Sequence, residues 1–298
     1  MGGPAVVTSV GRLVRIDDTS LFVEERGAGP PVIVLHGGPG LDHHEFGDYL
    51  DTLGDDFRLL LVDQRAQGRS EPAPPETWTL ARMAQDVIML ARALRLDRYA
   101  VFGHSFGAFV ALQNAVDYPG MAAATIVCGG IPSARWLVAV ERNLEVFEPA
   151  DVRQRVADSW EREASVRTHD EFAQMMADQL PFDFADPLDP RIGDYVKRTK
   201  DTVYAPDVLR AFSAQDYGAI ELEDRLGEVA SPTLVLAGRY DRVCAPEASE
   251  AIAKGIPGAE LHIFEEGGHM TFVEQPEEFI AVVRDFLVRT LPARQLSR

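Results

Sequence analysis

The sequence predicts an α/β protein: a mostly parallel central sheet flanked by helices, with one block of helices inserted into it. Three observations carry that expectation. Short apolar, β-branched runs alternate with longer helical patterns up to about residue 130; the alternation stops after Gly129-Gly130-Ile131-Pro132; and it resumes near residue 230. Strands that alternate with helices build parallel sheets buried on both faces.

Taken in order, residues 12–16 and 21–25 read as a hairpin pair, and residues 32–35 as a short buried strand between Pro30-Pro31 and Gly37-Gly38. Residues 57–62, 99–102 and 124–128 read as further buried strands. Residues 78–94 have helical spacing, with Leu80, Met83, Val87, Leu90 and Leu94 on one face. Residues 131–215 show helical stretches and aromatic side chains but no convincing strand, so they are expected to form a helical cap. Strands at 233–237 and 260–264 follow, with a helix after Pro246 and another from Pro276 to about Thr290. The expected division is a core of residues 1–130 and 216–298 with a cap of residues 131–215.

The composition excludes several classes. The chain has 298 residues, 46% of them hydrophobic, enough for a large core. Lys and Arg number 29 against 47 Asp and Glu, a net charge of −18, which disfavours nucleic acid and anionic membranes as partners. No apolar run approaches the roughly 18 residues of a membrane span. Cys128 and Cys244 do not make a disulfide scaffold, and no Cys/His spacing suggests zinc, so neither metal nor cofactor is expected. The Met1–Val6 stretch lacks a secretory leader pattern and a myristoylation motif; the expected location is the cytoplasm. Nothing in the sequence sets the oligomeric state.

The chemistry gathers at strand ends. Gly103-His104-Ser105-Phe106-Gly107 follows one predicted strand and opens a helical run, the setting of a nucleophile elbow. A serine hydroxyl needs a base, itself oriented by an acid, and in this turn type they follow in the order serine, acid, histidine. Asp241 lies past the strand at 233–237, and His269 past the strand at 260–264. Ser105, Asp241 and His269 are therefore the expected catalytic residues. His104, His36, His262 and His169 sit in the elbow, the glycine turn, a strand and the cap, and compete poorly as bases. For an oxyanion, the expected donors are the amides of Phe106 and Gly38, with Gly37 the alternative. Gly37, His43, His44 and Trp136 are candidates for the pocket wall.

These residues carry a resemblance. With the blocks His36–Gly40 (HGGPG) and Asp63–Ser70 (DQRAQGRS), the chain resembles the α/β-hydrolases, and within them the proline iminopeptidase branch. The resemblance covers roughly residues 20–130 and 230–290. It implies the α/β-hydrolase fold and release of an N-terminal residue from short peptides; Asp63, Arg65 and Ser70 match a structural turn. Such enzymes hold the substrate ammonium with glutamates, one often directly after the catalytic aspartate. Here Arg242 takes that place, and Ala66 replaces a usual glycine. Residues 170–194 hold seven acidic residues against Arg191 alone, either a solvated face or an amine-attracting rim. The expected function is a serine hydrolase of a small ester, lactone or amide. An esterase or lactonase without aminopeptidase activity, a C–C bond hydrolase, and a slow-turnover ligand-binding receptor remain alternatives. The expected partner is a small molecule or short peptide.

Overall fold

The computed structural model describes residues 10–292; the Met1–Val6 stretch read above for targeting signals lies outside them. Eight strands form one sheet: β1 (Val10–Arg15), β2 (Ser20–Arg26), β3 (Pro31–Leu35), β4 (Arg58–Val62), β5 (Ala100–His104), β6 (Ala124–Cys128), β7 (Thr233–Gly238) and β8 (Glu260–Phe264). Their order is β1-β2-β4-β3-β5-β6-β7-β8. The β1–β2 and β2–β4 pairs are antiparallel, and every later pair is parallel. The expected hairpin and the expected parallel sheet are both present.

Alternation within the strands explains why the sheet is buried on both sides. Ile33, Leu35, Leu60, Val62, Val101, Val127 and Val235 join one apolar cluster, while Val32, Val34, Leu59, Leu61, Phe102, Ile126 and Leu234 join the other. Successive side chains of a strand point to opposite faces, so runs apolar at every position need cover on both. Helices α1 (Leu80–Ala93), α2 (Phe106–Asp117) and, further along the chain, α9 (Pro246–Gly255) supply side chains to the first cluster. The last helix, α11 (Pro276–Thr290), supplies Phe279, Val283, Phe286 and Leu287 to the second. Each such fully buried side chain contributes about 1.5–3 kcal/mol. The stripe Leu80, Met83, Val87 and Leu90 of α1 is buried, and Thr79 caps the helix by accepting the Arg82 N–H.

Between β6 and β7 lie only helices: α3 (Val138–Glu145), α4 (Ala150–Arg162), α5 (His169–Asp183), α6 (Arg191–Arg198), α7 (Pro206–Ser213) and the short α8 (Asp216–Ala219). A Thr168/Glu171 capping box starts α5. No helix among the described residues is long and apolar enough to cross a membrane. Because β3, β5, β7 and β8 run parallel, the loops that follow them emerge at one edge of the sheet, where parallel sheets bind ligands.

Candidate active site

Ser105 joins β5 to α2 with φ 53° and ψ −119°, a left-handed conformation that costs a non-glycine residue roughly 1–3 kcal/mol. Its flanking glycines make the turn possible. A Cβ on Gly103 would lie 2.1 Å from the Gly107 carbonyl oxygen, and one on Gly107 would lie 2.2 Å from that of Leu35. Only hydrogen fits at either position, and the chain can therefore turn sharply enough to hold Ser105 at the sheet edge.

His269 stands on the loop after β8 and Asp241 on the loop after β7. The Nδ1 of His269 is 2.7 Å from Asp241 Oδ2, while Oδ1 accepts the amides of Val243 and Cys244 at 2.9 and 2.8 Å. Nδ1–H is thereby spent on Asp241, which leaves Nε2 as the basic nitrogen. Burial works against an imidazolium here, but the charge and hydrogen bond of Asp241 outweigh it and raise His269 to about 9. Sequence reasoning missed Gly129, whose φ is +59°. A Cβ there would lie 3.0 Å from His269 Cε1, so this glycine makes room for the imidazole.

Ser105, His269 and Gly38 open onto one cavity of about 270 Å³. The Gly38 φ of +108° requires glycine. Gly37 is corrected as the alternative oxyanion donor: its N–H already donates to Glu45 Oε2 at 2.6 Å. The DQRAQGRS block secures this turn from below. Gln64 N–H donates to His36 Nε2 at 3.1 Å, and Gly40 N–H to Gln67 Oε1 at 2.6 Å. Asp63 accepts the amides of His43 and Arg69, and Arg65 pairs with Asp86 and Asp18. Ala66 adopts φ 60°, which accounts for the glycine usual in that turn.

The pocket candidates are also corrected: none of Gly37, His43, His44 and Trp136 lines the cavity. His43 is buried below the turn, with Nδ1 2.6 Å from Asp63 Oδ1 and Nε2 3.4 Å from Glu24 Oε2. His44 pairs with Asp42 at 2.9 Å, and Trp136 donates its indole N–H to Glu223 at 3.3 Å with the Arg135 guanidinium over its ring. Asp42, His43 and His44 have potential ligand atoms within 4.8 Å of one another. Arg69 already bonds Asp42 there, and Asp63 holds His43, so the group forms a closed ion-pair network.

The inserted helices supply most of the cavity's apolar wall, including Trp160, Phe172, Met175 and Leu209. They also bring Glu163 and Asp183 to it. Burial pushes Glu163 above its ordinary value, although the Tyr217 hydroxyl (2.6 Å) and Gln179 (3.1 Å) both donate to it. Burial likewise pushes Asp183 up to about 7, with the His269 charge opposing and the Asp241, Glu274 and Glu45 charges adding. Asp183 was not singled out from the acidic stretch 170–194, and most of its neighbours there serve structure. Asp178 pairs with Arg162, Asp189 with Arg191, and Asp194 with Lys197, while Glu171 caps α5.

Arg242, the position that departs from the family pattern, does not line the cavity. Its guanidinium donates to the carbonyls of Phe184 and Ala185 and lies over the Phe147 ring. Nearby, on α10 (Thr271–Glu274), the Glu274 carboxylate accepts the amides of Ala185 (2.7 Å) and Gly268 (2.8 Å). The His269 N–H donates to the Asp183 carbonyl at 2.6 Å. The end of α5 is thus stitched to the two loops that carry Asp241 and His269.

Comparison with known proteins agrees with this architecture. Residues 30–276 match the family model described as the alpha/beta hydrolase fold. A proline iminopeptidase of Heyndrickxia coagulans is 29% identical over 275 residues, covering 89% of this chain and 92% of its own. A putative carbamate hydrolase of Rhizobium rhizogenes is 30% identical over 258 residues, covering 86% and 92%. The crystal structure of proline iminopeptidase from Mycobacterium smegmatis superposes with a TM-score of 0.73 at 26% identity, covering 94% of this chain and 98% of that one. The chain belongs to the α/β-hydrolase fold family and is a proline iminopeptidase-like hydrolase.

Proposed function

We propose that the protein is a serine hydrolase of small acyl substrates, with Ser105 as nucleophile, His269 as general base and acid, and Asp241 as its orienting partner. The observation that carries this reading is the strained Ser105 opening onto the same cavity as a histidine whose Nδ1 is fixed by a buried carboxylate. Ser105 Oγ attacks the carbonyl carbon while His269 Nε2 takes its proton; the tetrahedral oxyanion is met by the amides of Phe106 and Gly38. His269 then protonates the leaving group, and water, activated by the same imidazole, releases the acyl product. Residues 131–215 serve as the cap that shapes the cavity, on a core that, among the described residues, spans 10–130 and 216–292.

Within that class, two features favour a substrate with a free amine. Asp183 and Glu163 place carboxyl groups on a largely apolar wall that also carries Gln179, His169 and Lys200, and Arg242, the cation that would repel an ammonium beside Asp241, is turned to backbone carbonyls. The proline iminopeptidase relatives point the same way. The apolar wall supports the second reading, hydrolysis of a small ester or lactone with an apolar acyl group. The deciding experiment compares kcat/KM for prolyl-p-nitroanilide and p-nitrophenyl butyrate, with Ser105→Ala as the blank. Preference for the prolyl amide supports the amine reading. Preference for the ester with no amide cleavage removes it, and equal turnover by Ser105→Ala removes the mechanism.

A further inference from the structure

Below the elbow lies a buried polar group that the mechanism does not use. Glu45 and His104 are 4% and 1% exposed, in a setting where an unsatisfied charge is expensive. Every side-chain hydrogen bond they make ends on a part of the site. Glu45 Oε2 accepts the Gly37 N–H at 2.6 Å, and Oε1 is 2.9 Å from His104 Nδ1. His104 Nε2 is 3.1 Å from the backbone carbonyl of His269. Its ring also lies against that of His269, with centroids 4.8 Å apart. Both nitrogens of His104 thus face oxygen atoms. Burial alone would raise the Glu45 carboxyl, yet His104 and the Gly37 amide hold it below its ordinary value.

We propose that Glu45 is a positioning residue for the reaction. Its carboxylate fixes the Gly37–Gly38 turn that presents the second oxyanion donor, and His104 hydrogen-bonds that carboxylate while carrying the connection to the His269 loop. Three segments distant in sequence, residues 36–40, 104–105 and 267–269, are thereby held in one geometry. The pairing is necessary for an electrostatic reason as well. A Cβ on Gly37 would lie 2.5 Å from Glu45 Oε1 and 3.1 Å from Ser105 Cβ, so this carboxylate is close to where negative charge develops. Unpaired, it would oppose the oxyanion; paired with His104, it is compensated. A separate feature of the same turn fits this assignment: Glu45 occupies both its oxygens on Gly37 and His104, leaving the neighbouring Gly38 amide for the substrate.

The inference rests on the reading of Ser105 as nucleophile, and the test separates the two. Active sites of wild type, Glu45→Gln, His104→Phe and the double variant are titrated with a p-nitrophenyl alkylphosphonate. Per titrated site, kcat and KM for p-nitrophenyl butyrate and Ki for butaneboronic acid are then measured. Glu45→Gln is expected to lower kcat roughly 10–100-fold and to weaken the tetrahedral boronate adduct by a similar factor, with KM changed less than about threefold. The double variant is expected to be more active than His104→Phe alone, because it no longer leaves Glu45 uncompensated. Should His104→Phe fail to fold, Glu45→Gln alone decides. Unchanged kcat and Ki in Glu45→Gln, or a loss shared equally between Ki and KM, overturns the proposal, as does a double variant no better than His104→Phe. A wild-type protein that neither labels nor turns over the ester overturns the Ser105 reading instead.

Discussion

His269 Nδ1 lies 2.7 Å from Asp241 Oδ2, and that pair sets the expected pH behaviour of the enzyme. The imidazole acts as a base only when neutral, and its pKa is raised to about 9. The kcat/KM of the free enzyme should therefore rise with pH through neutrality, reach half its maximum near pH 9 and level off above it. Asp241→Asn should lower kcat roughly 10³–10⁴-fold and move that limb to lower pH, because the charge that raises the pKa is gone. A full pH–rate profile of both proteins checks this. The same pair contributes to stability with the opposite slope. Its contribution is fully present below about pH 6.5, where the unfolded histidine is also charged, and is lost as the pH rises through about 9.

Asp183 carries a second pH signature. Its carboxyl is held near 7, above the unfolded value of 3.8, so the native state retains a proton that the unfolded chain gives up. Stability should fall from about pH 4 to pH 7 on its account, and Asp183→Asn should raise Tm at pH 8 relative to wild type. In kinetics the same substitution should raise KM for prolyl-p-nitroanilide while leaving KM for p-nitrophenyl butyrate nearly unchanged. Equal effects on the two substrates would remove Asp183 from amine recognition.

Arg242→Ala should loosen the end of α5. It deletes hydrogen bonds to the carbonyls of Phe184 and Ala185 and the guanidinium stacked on Phe147. The expected cost is roughly 1.5–3 kcal/mol, visible as a lower urea midpoint. Hydrogen exchange should increase at residues 182–186 and on the Asp241 and His269 loops together, since Glu274 and the His269 amide tie them to one another. Exchange confined to Arg242's own loop would contradict that coupling.

Gly107→Ala should be among the most damaging single changes. The added methyl would meet backbone, 2.2 Å from the Leu35 carbonyl oxygen, with no flexible side chain to yield. Overpacking of this kind costs typically 1–3 kcal/mol and here displaces the elbow itself, so both Tm and per-site kcat should fall. A variant with wild-type Tm and turnover would show that the elbow is not as closely packed as described.

How much of this was legible in the sequence follows from what is local. Buried parallel strands announce themselves as apolar runs, which is why residues 124–128 match β6 to the residue; residues 260–264 also match β8, an edge strand buried only at Phe264. The elbow was legible because its glycines and serine lie within five residues, and the turn leads straight into α2 at Phe106. Placement across the fold was not. His43 and His44 follow the glycine turn in sequence, yet Asp63 and Asp42 draw them beneath it, and Trp136 is drawn to Glu223. Glu45 and His104 lie 59 positions apart, and only the pairing of β3 with β5 brings them together. Arg242 showed a charge that conflicted with the family pattern, but the carbonyls that absorb it lie just past the end of α5, in the inserted segment, whose packing no periodicity specifies.

The most direct test of the central claim is to map covalent labelling by a p-nitrophenyl alkylphosphonate with peptide mass spectrometry. One adduct per chain is expected, on Ser105, with matching loss of ester hydrolysis, no labelling of Ser105→Ala, and much slower labelling of His269→Ala. Stoichiometric inactivation with the adduct on another residue, or hydrolysis undiminished in Ser105→Ala, would contradict it.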